Sequence, residues 1–251
     1  MNSSPASTAT ALSFRGVSKT FPDGTVALDD VSLEVQRGEF VTIVGPSGCG
    51  KSTVLRIASG LLDATSGTVE LADRNLGYVF QDATLLPWRT VRRNVELFGE
   101  LHGVPKVELA DRAAEVIQLV GLEGFEKSYP KRLSGGMRMR ASLARTLLLK
   151  PTLFLFDEPF GALDEITRER LNVELMNLFV HERFAGLFIT HSIAEAVYLS
   201  TTVLVMSARP GRLIGSFDVP FEYPRSEEIR FDARFAALSG EISHALKAAH
   251  A

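Results

Sequence analysis

The sequence predicts an α/β fold in which a sheet core carries an inserted α-helical subdomain. A strongly apolar run at 40–44 ends at a glycine-rich segment, and residues with helical spacing follow it, which is typical of a buried strand that leads into a helix. From about 82 to 150 the periodicity is helical, with almost no strand signal. Strand patterns resume at 153–156, 186–190 and 203–206, with helical segments between them, as expected for a parallel sheet.

Composition limits the classes of protein to which the chain can belong. It has 251 residues, of which 45% are hydrophobic and 23% charged, enough for one large α/β domain or a core with an inserted subdomain. The formal net charge of -3 gives no basic bulk character, so we predict no nucleic-acid partner. The single cysteine excludes an internal disulfide framework. No apolar run approaches the roughly 20 residues of a membrane helix, so a membrane component would have to be a separate chain.

Strand patterns dominate the first part of the chain. Residues 1–10 are rich in Ser, Thr and Ala and predict a disordered leader. A helix is predicted at 51–59, directly after the glycine-rich segment. Strands are predicted at 11–17, 31–35, 40–44, 67–71 and 76–80.

Helical patterns dominate the second part. We interpret 11–225 as one domain with a helical insertion at about 82–150, and 226–251 as a C-terminal helical tail. Residues 209–212 predict a turn into a last strand. The predicted helices are 91–101, 107–120 and 134–149 in the insertion, and 165–180, 193–199 and 227–249 after it.

The glycine-rich segment has the composition and the position of a phosphate-binding loop. Its glycines permit a backbone path that aims N–H groups at phosphate oxygens, and the following helix adds the positive end of its dipole. Lys51 supplies a positive charge for the β- and γ-phosphates, and the Ser52 hydroxyl can ligate Mg²⁺. The residues predicted to bind the nucleotide here are Gly45, Pro46, Ser47, Gly48, Cys49, Gly50, Lys51, Ser52 and Thr53.

Two carboxylates follow the predicted strand at 153–156. Asp157 and Glu158 therefore lie at the carboxyl end of a buried strand, where α/β sheets bind ligands. Asp157 is suited to hold Mg²⁺ through its water shell, and Glu158 is suited to polarise an attacking water. The alternative is a solvated turn with two acids, which the phosphate loop upstream disfavours.

A third motif, Leu133-Ser134-Gly135-Gly136-Met137, lies between these two. With it, the chain resembles the ATP-binding subunits of ABC transporters over about 11–212. The resemblance implies a P-loop NTPase core, made of a RecA-like sheet plus an antiparallel β subdomain, and hydrolysis of ATP with Mg²⁺. Ser134, Gly135 and Gly136 begin a predicted helix and so form a second anion-binding terminus. By resemblance they reach the ATP of a second copy of the chain, which makes a twofold ATP sandwich.

The resemblance also assigns roles to residues outside these motifs. Phe21 matches the aromatic residue that stacks on adenine, and Gln81 matches the glutamine that contacts Mg²⁺ and the membrane partner. Asp164 matches the loop that communicates across the dimer, and His191 matches the histidine that contacts the γ-phosphate. The predicted catalytic residues are therefore Lys51, Gln81, Glu158 and His191, and the predicted metal ligands are Ser52, Gln81 and Asp157.

Several of these residues have simpler alternatives. Phe21 is otherwise a core or turn aromatic, Gln81 a polar strand end, and His191 a helix cap beside Ser192. Cys49 is interpreted as a small loop residue without a redox role. The sequence departs from the family pattern twice, with Met139 where the signature usually continues with glutamine, and with Ser192 where aspartate usually follows the histidine.

The segment 81–91 resembles the corresponding segment in the ATP-binding subunits of importers for nitrate, sulfonates, taurine and related small organic solutes. The segments 160–164 and 208–212 fit the same group. In these subunits the stretch after the glutamine receives a short helix of the membrane protein. Leu86-Pro87-Trp88 is therefore predicted to form a socket wall. The alternative is that Trp88 is a core residue.

Together these resemblances imply the ATPase subunit of a bacterial ABC importer, peripheral on the cytoplasmic face of the inner membrane. Its implied partners are a second copy of itself, integral membrane permease subunits and, indirectly, a solute-binding protein. DNA-repair ATPases of this type insert long coiled coils, and translation-associated ones carry two cassettes; neither pattern is visible here. Intact Lys51, Asp157, Glu158 and His191 argue against an inactive binding module. An exporter subunit is the alternative that the sequence leaves open.

Overall fold

The computed structural model describes residues 9–248 as two sheets with helices packed around them. The strands are β1 (Thr10–Thr20), β2 (Val26–Gln36), β3 (Phe40–Val44), β4 (Ser66–Leu71), β5 (Leu76–Val79), β6 (Leu153–Asp157), β7 (Ala185–Thr190), β8 (Thr202–Met206) and β9 (Leu213–Asp218). The helices are α1 (Lys51–Ala58), α2 (Val91–Leu101), α3 (Lys106–Leu119), α4 (Gly135–Leu147), α5 (Glu165–Glu182), α6 (Ile193–Leu199) and α7 (Ala233–Ala248).

The larger sheet has six strands in the order β5-β6-β7-β3-β8-β9. The first five of these run parallel to their neighbours, and β9 pairs antiparallel with β8. The smaller sheet is antiparallel, in the order β2-β1-β4. The predicted α/β class with an antiparallel β subdomain is therefore confirmed.

Apolar side chains cover both faces of the parallel sheet, as such sheets require. Alternate residues point to opposite faces, so Phe40 and Phe156 join one core cluster while Ile43 and Leu155 join the other. On the first face, the ring of Phe188 lies 5.8 Å from that of Phe40 and 5.7 Å from that of Phe156. The sheet is thus a rigid support for whatever lies at its ends.

Helices α2, α3 and α4 occur together between β5 and β6 and pack on one another. Helices α2 and α3 pack closely at Gly99, where an added Cβ would lie only 2.3 Å from Leu109 Cδ1 of α3. Thr90 caps α2 by accepting a hydrogen bond from the Arg93 N–H at 3.3 Å. The limits of 82 and 150 for an inserted subdomain stay a prediction.

The two ends of the chain are described only in part. Most of the predicted leader, 1–10, lies outside the described residues; Ala9 O accepts a hydrogen bond from Arg37 N at 3.0 Å, and β1 begins at Thr10. The segment predicted as one helix from 227 contains a 3-10 turn, Glu227–Phe231, and then α7. Position 249 and the two after it lie outside the described residues.

Helix α7 packs on the main body, with Phe235 and Ile242 buried in the larger core cluster. The buried Arg225 guanidinium connects this region to the end of α6, because it donates to the carbonyl oxygens of Tyr198 at 2.8 Å and Ser200 at 2.9 Å. The domain boundary at 225 stays a prediction. Within residues 9–248, no helix is both long and apolar enough to cross a lipid bilayer.

Candidate active site

Three neighbouring strands bring the sequence motifs together at one edge of the parallel sheet. The strands β6, β7 and β3 are adjacent, with Val44 paired to Thr190 and Asp157 paired to Ile189. The phosphate loop follows β3, the acidic pair ends β6, and His191 follows β7. Carboxyl ends of adjacent parallel strands meet at the same edge, so residues far apart in sequence become neighbours.

The phosphate loop needs glycine at two positions for its backbone path. Gly48 has φ of +75° and Gly50 has φ of +112°, both in the left-handed region. A Cβ at Gly50 would also lie 2.7 Å from Ala27 O. Among the described residues, no side chain caps α1, which leaves its first-turn N–H groups available for ligand oxygens.

Lys51 is buried beneath this loop and is held by its backbone. Its ammonium group donates to Gly45 O at 2.8 Å and Pro46 O at 2.9 Å. The same nitrogen lies 3.9 Å from Glu158 Oε1. A positive charge is therefore fixed between the loop and the acidic pair.

Ser52 and Asp157 form an oxygen pair that fits Mg²⁺. Ser52 Oγ donates to Asp157 Oδ1 at 2.8 Å, and Tyr78 OH donates to Asp157 Oδ2 at 3.2 Å. Burial, followed by the Asp157 charge, raises the pKa of Tyr78, so the phenol stays a donor. Mg²⁺ commonly takes only one or two protein oxygens together with water and phosphate oxygens. The residues 9–248 contain no cluster of three or more His, Cys, Asp or Glu side chains suited to a metal.

Glu158 and His191 contact each other at the mouth of the site. His191 Nδ1 lies 3.2 Å from Glu158 Oε2, and a carboxylate can only accept, so Nδ1 carries the proton in this contact. A Cβ at Gly161 would lie 3.6 Å from both Gln81 Nε2 and Glu158 Oε2, which places the Gln81 amide near the same carboxylate. Ser192, rather than His191, caps α6 by accepting from the Glu195 N–H at 3.3 Å.

A cleft of about 600 Å³ lies over the phosphate loop. Its lining includes Phe21, Lys51, Ser52 and Glu158 together with Arg209. Phe21 is half-buried, lines this cleft and belongs to neither core cluster, which disfavours the core alternative. Its backbone does form a turn, in which Gly24 N donates to Phe21 O at 2.9 Å, and stacking on adenine stays a prediction.

Sequence reasoning missed Arg209 and Tyr78 as site residues. The Arg209 Nε and Nη2 groups donate to Gly48 O at 3.2 and 2.9 Å, across 161 positions of sequence. The turn at 209–212 was predicted, but nothing in its local pattern indicates contact with the phosphate loop. The two arginines of the segment are compatible with an anionic ligand but do not specify this contact.

The residues Ser134, Gly135 and Gly136 do not line this cleft in the described part of the chain. Ser134 is exposed and caps α4, accepting from the Met137 N–H at 3.2 Å. A Cβ at Gly135 would lie 3.0 Å from Leu163 Cδ2, and one at Gly136 would lie 2.8 Å from Thr167 Cγ2. The signature therefore packs against the loop that contains Asp164.

Asp164 is the N-cap of α5. It accepts from the Thr167 N–H at 3.0 Å and from the Thr167 hydroxyl at 2.8 Å, and the backbone hydrogen bond is the main cause that lowers the pKa of the Asp164 carboxyl. Met139, one of the two departures from the family pattern, is buried beside Phe160, Leu171 and Leu175. Its side chain therefore serves the core.

The segment after Gln81 is fixed by two buried polar side chains that sequence reasoning also missed. Asn94 accepts from Leu86 N at 2.7 Å and donates to Leu86 O at 3.1 Å. Arg145 of α4 donates to Thr84 O at 2.9 Å and to Thr84 Oγ1 at 2.9 Å. Trp88 is 71% exposed, which excludes the core alternative for this residue in the described chain.

Comparison with known proteins agrees with this geometry. A family model described as ABC transporter matches residues 28–161. An uncharacterized ABC transporter ATP-binding protein of Methanocaldococcus jannaschii, MJ0412, is 50% identical over 230 residues, covering 88% of this chain and 84% of that protein. The aliphatic sulfonates import ATP-binding protein SsuB of Bacillus cereus is 40% identical over 226 residues, covering 86% of this chain and 89% of SsuB.

Among solved structures, the dimeric ATP-binding cassette MJ0796, bound to ADP and Pi in a post-hydrolysis state, is similar with a TM-score of 0.73 and 31% identity. The alignment covers 84% of this chain and all of that chain (100%). The phosphate loop, the acidic pair and the signature thus occur on a fold and in a sequence that both match one group of proteins. The chain belongs to the ABC transporter family of ATP-binding proteins.

Proposed function

We propose that this chain is the ATP-hydrolysing subunit of an importer for a small solute. The observation that supports hydrolysis most strongly is the convergence of Lys51, Asp157, Glu158 and His191 at the ends of three adjacent strands. A protein that only bound nucleotide would not need a carboxylate and an imidazole in contact beside the phosphate site.

Each of these side chains has a distinct task in the proposed reaction. Lys51 and the N–H groups of the phosphate loop bind the phosphates, and Phe21 stacks on the adenine. Glu158 accepts the proton of the attacking water, and His191 orients that carboxylate and faces the γ-phosphate. Ser52 and Asp157, with Gln81, would hold Mg²⁺, which supplies charge stabilisation to the phosphate oxygens when it is bound.

The proposed active unit is a dimer. Ser134 opens a helix terminus that is exposed and lies outside the cleft of its own chain, so a second copy would offer this terminus to the γ-phosphate. The dimeric state of the MJ0796 cassette supports this arrangement. Asp164, next to the signature, would then lie at the interface between the two copies.

Import, rather than ATP hydrolysis alone, is supported by the SsuB relatives, whose name specifies aliphatic sulfonates. We propose a solute of that kind, or nitrate, taurine or a similar compound. Separate permease subunits and a solute-binding protein would complete the system, with this chain peripheral on the cytoplasmic face of the inner membrane. Identifying the proteins that co-purify with the chain distinguishes an importer from an exporter, because an importer works with a solute-binding protein. The ligand of that protein can then be found by screening.

The hydrolytic proposal is tested by Glu158→Gln, which removes the proton acceptor and keeps the shape. We expect steady-state ATP turnover, measured with the co-purifying membrane subunits, to fall by at least about 100-fold, while ATP still binds. Glu70→Gln is the control, since Glu70 lies on β4 with an exposed side chain paired to Arg15. Turnover of Glu158→Gln within about twofold of the wild type would remove Glu158 from the mechanism.

A further inference from the structure

A buried polar cluster connects the start of α5 to the start of α6, behind the contact between Glu158 and His191. Its centre is the carboxylate of Glu195, which is 5% exposed. Thr190 Oγ1 donates a short hydrogen bond to Glu195 Oε2. Arg168 Nε lies 3.8 Å from the other oxygen, Glu195 Oε1.

On the α6 side, this cluster fixes the backbone around His191. Thr190 Oγ1 accepts from the Ser192 N–H at 3.0 Å. This hydrogen bond joins the residue before His191 to the residue after it. Ser192 Oγ in turn accepts from the Glu195 N–H. The direction of the His191 ring therefore depends on how Glu195 holds Thr190.

On the α5 side, the same cluster contacts the loop of Asp164. Arg168 Nη2 donates to Leu163 O at 2.9 Å, and Gly161 N donates to Glu158 O at 3.1 Å. The contacts therefore close a ring, which runs from Glu158 through the 161–164 loop, Arg168 and the Glu195 cluster, and back through His191 to Glu158.

The contact between Arg168 and Glu195 is the one contact in this ring that is too long to be a hydrogen bond. Arg168 Nε and Glu195 Oε1 are both buried, and neither has a hydrogen-bond partner among the described residues. A charge-assisted hydrogen bond has a length of about 2.8 Å, so the 3.8 Å separation is about 1 Å too long. Because unsatisfied buried polar atoms are costly, a small displacement of the loop that completed this bond would be stabilised.

Burial is the main cause that raises the pKa of Glu195, and the Thr190 hydroxyl, the Arg168 charge, the Asn172 amide and the His191 charge oppose it. The charged form of Glu195 therefore depends on the groups packed around it, of which Thr190 has the largest effect. Asn172, which is also fully buried, faces the same carboxylate.

We propose that Arg168 and Glu195 are positioning residues that set the place of His191 beside Glu158 according to the position of the 161–164 loop. The inference rests on the proposed hydrolysis and on the loop lying where a second copy docks. Movement of that loop would close the Arg168–Glu195 bond, shift Thr190 and hold His191 in place. The ring thereby links dimer formation to the geometry of the hydrolytic pair.

The test uses the full chain with its co-purifying membrane subunits. Glu195→Gln keeps an oxygen for Thr190 but removes the charge that Arg168 faces. We expect kcat for ATP to fall about tenfold while KM changes by less than about twofold. We expect at least the same loss for Arg168→Gln, which also removes the hydrogen bond to Leu163 O. The double variant should then lose no more than Arg168→Gln alone, since both substitutions break the Arg168–Glu195 contact.

Glu174→Gln is the matched control. Glu174 lies on α5 and its Oε2 is 3.7 Å from Arg140 Nε, and this oxygen too is buried without a hydrogen-bond partner among the described residues. It has no contact with Thr190 or His191 in the described chain, so we expect kcat to stay within about twofold of the wild type. Losses of equal size in Glu174→Gln and Glu195→Gln, or additive losses in the double variant, would overturn the positioning role.

A second readout does not depend on hydrolysis. In crystal structures of the nucleotide-free chain, we expect the contact of 3.2 Å between His191 Nδ1 and Glu158 Oε2 to be lost in Glu195→Leu, which removes the oxygen that accepts from Thr190, and retained in Glu174→Leu. If the contact survives in a folded Glu195→Leu variant, the positioning role is wrong. A wild-type chain without ATPase activity would instead refute the proposed function, and the crystallographic distance would still decide this inference.

Discussion

At the scale of single residues, Glu158 adopts a backbone conformation that few side chains adopt. Its φ is +45°, in the left-handed region that is uncommon for residues other than glycine. Two backbone hydrogen bonds hold it there, from Glu158 N to Ile189 O at 3.0 Å and from Gly161 N to Glu158 O at 3.1 Å. This turn directs the carboxylate toward Lys51 and His191, and such strain is often found at functional positions.

Arg209 is the residue whose role is easiest to test alone. It donates twice to Gly48 O, and we expect Arg209→Ala to release the left-handed Gly48 and so weaken the preformed loop. A charge-assisted hydrogen bond at an exposed site contributes about 1 kcal/mol, which corresponds to roughly a fivefold rise in the Kd for ATP. Isothermal titration calorimetry of the isolated chain with ATP measures this Kd.

The control for this measurement is Arg15→Ala. Arg15 is an exposed arginine on β1 paired with Glu70, so its removal changes the net charge equally without touching the loop. An Arg209→Ala variant that binds ATP as tightly as Arg15→Ala would show that the loop keeps its shape without the guanidinium.

At the scale of elements, α4 connects two functional segments. Ser134 caps its first turn, and Arg145 near its last turn holds the Thr84 backbone. Its 13 residues span about 20 Å at 1.5 Å per residue. One helix therefore joins the signature to the segment that contains Trp88.

Ser134→Arg tests the assembly that this helix implies. We expect the variant to bind ATP normally as a monomer but to fail to dimerise with ATP, because a bulky cation would occupy the γ-phosphate position. Light scattering in a Glu158→Gln background measures dimerisation. Ser134→Thr is the control, since it keeps the capping oxygen, whose loss alone costs about 1 kcal/mol. If Ser134→Arg dimerises as well as Ser134→Thr, the twofold sandwich model is wrong.

Element positions were largely predictable because periodicity is a local property. The limits of β3, α2 and α6 agree with those predicted, and most others differ by only a few residues. The 227–249 segment is the exception: Asp232 separates the 3-10 turn from α7, and Asp232 Oδ1 accepts from the Arg234 N–H at 2.8 Å. Such a local side-chain bond competes with helix continuation.

The candidate site was predictable where its residues form motifs, and not where they act across the sequence. Lys51, Asp157 and Glu158 are recognisable from their neighbours. Arg209 and Arg145 were missed because each binds backbone 161 or 61 positions away. Their partners depend on strand order, which a local pattern does not contain.

At the scale of the whole molecule, the surface near Trp88 is the proposed docking face for the permease subunits. Tyr129, which is 42% exposed, lines the same surface depression as Trp88. Asn94 and Arg145 fix the backbone of the segment, so Trp88 is presented by a rigid support.

We expect Trp88→Ala to weaken assembly with the membrane subunits while ATP affinity stays nearly unchanged. The loss of an aromatic anchor typically costs about 2 kcal/mol or more at an interface. A pull-down of the membrane subunits, paired with a nucleotide titration of the isolated chain, measures both quantities. Leu61→Ala is a matched control, because Leu61 is 65% exposed and lies after α1. A mutant that docks normally would place the socket elsewhere.

The buried thiol of Cys49 has a consequence for chemical labelling. The side chain is 1% exposed, and burial raises its pKa, so a thiol reagent can attack only when the phosphate loop opens. Because the chain contains one cysteine, every labelled molecule reports that opening. We expect Ellman's reagent to react more slowly with the native chain than with the unfolded chain, more slowly still with ATP present, and faster in Arg209→Ala. Equal rates in all four samples would mean that the thiol is reached without any movement of the loop.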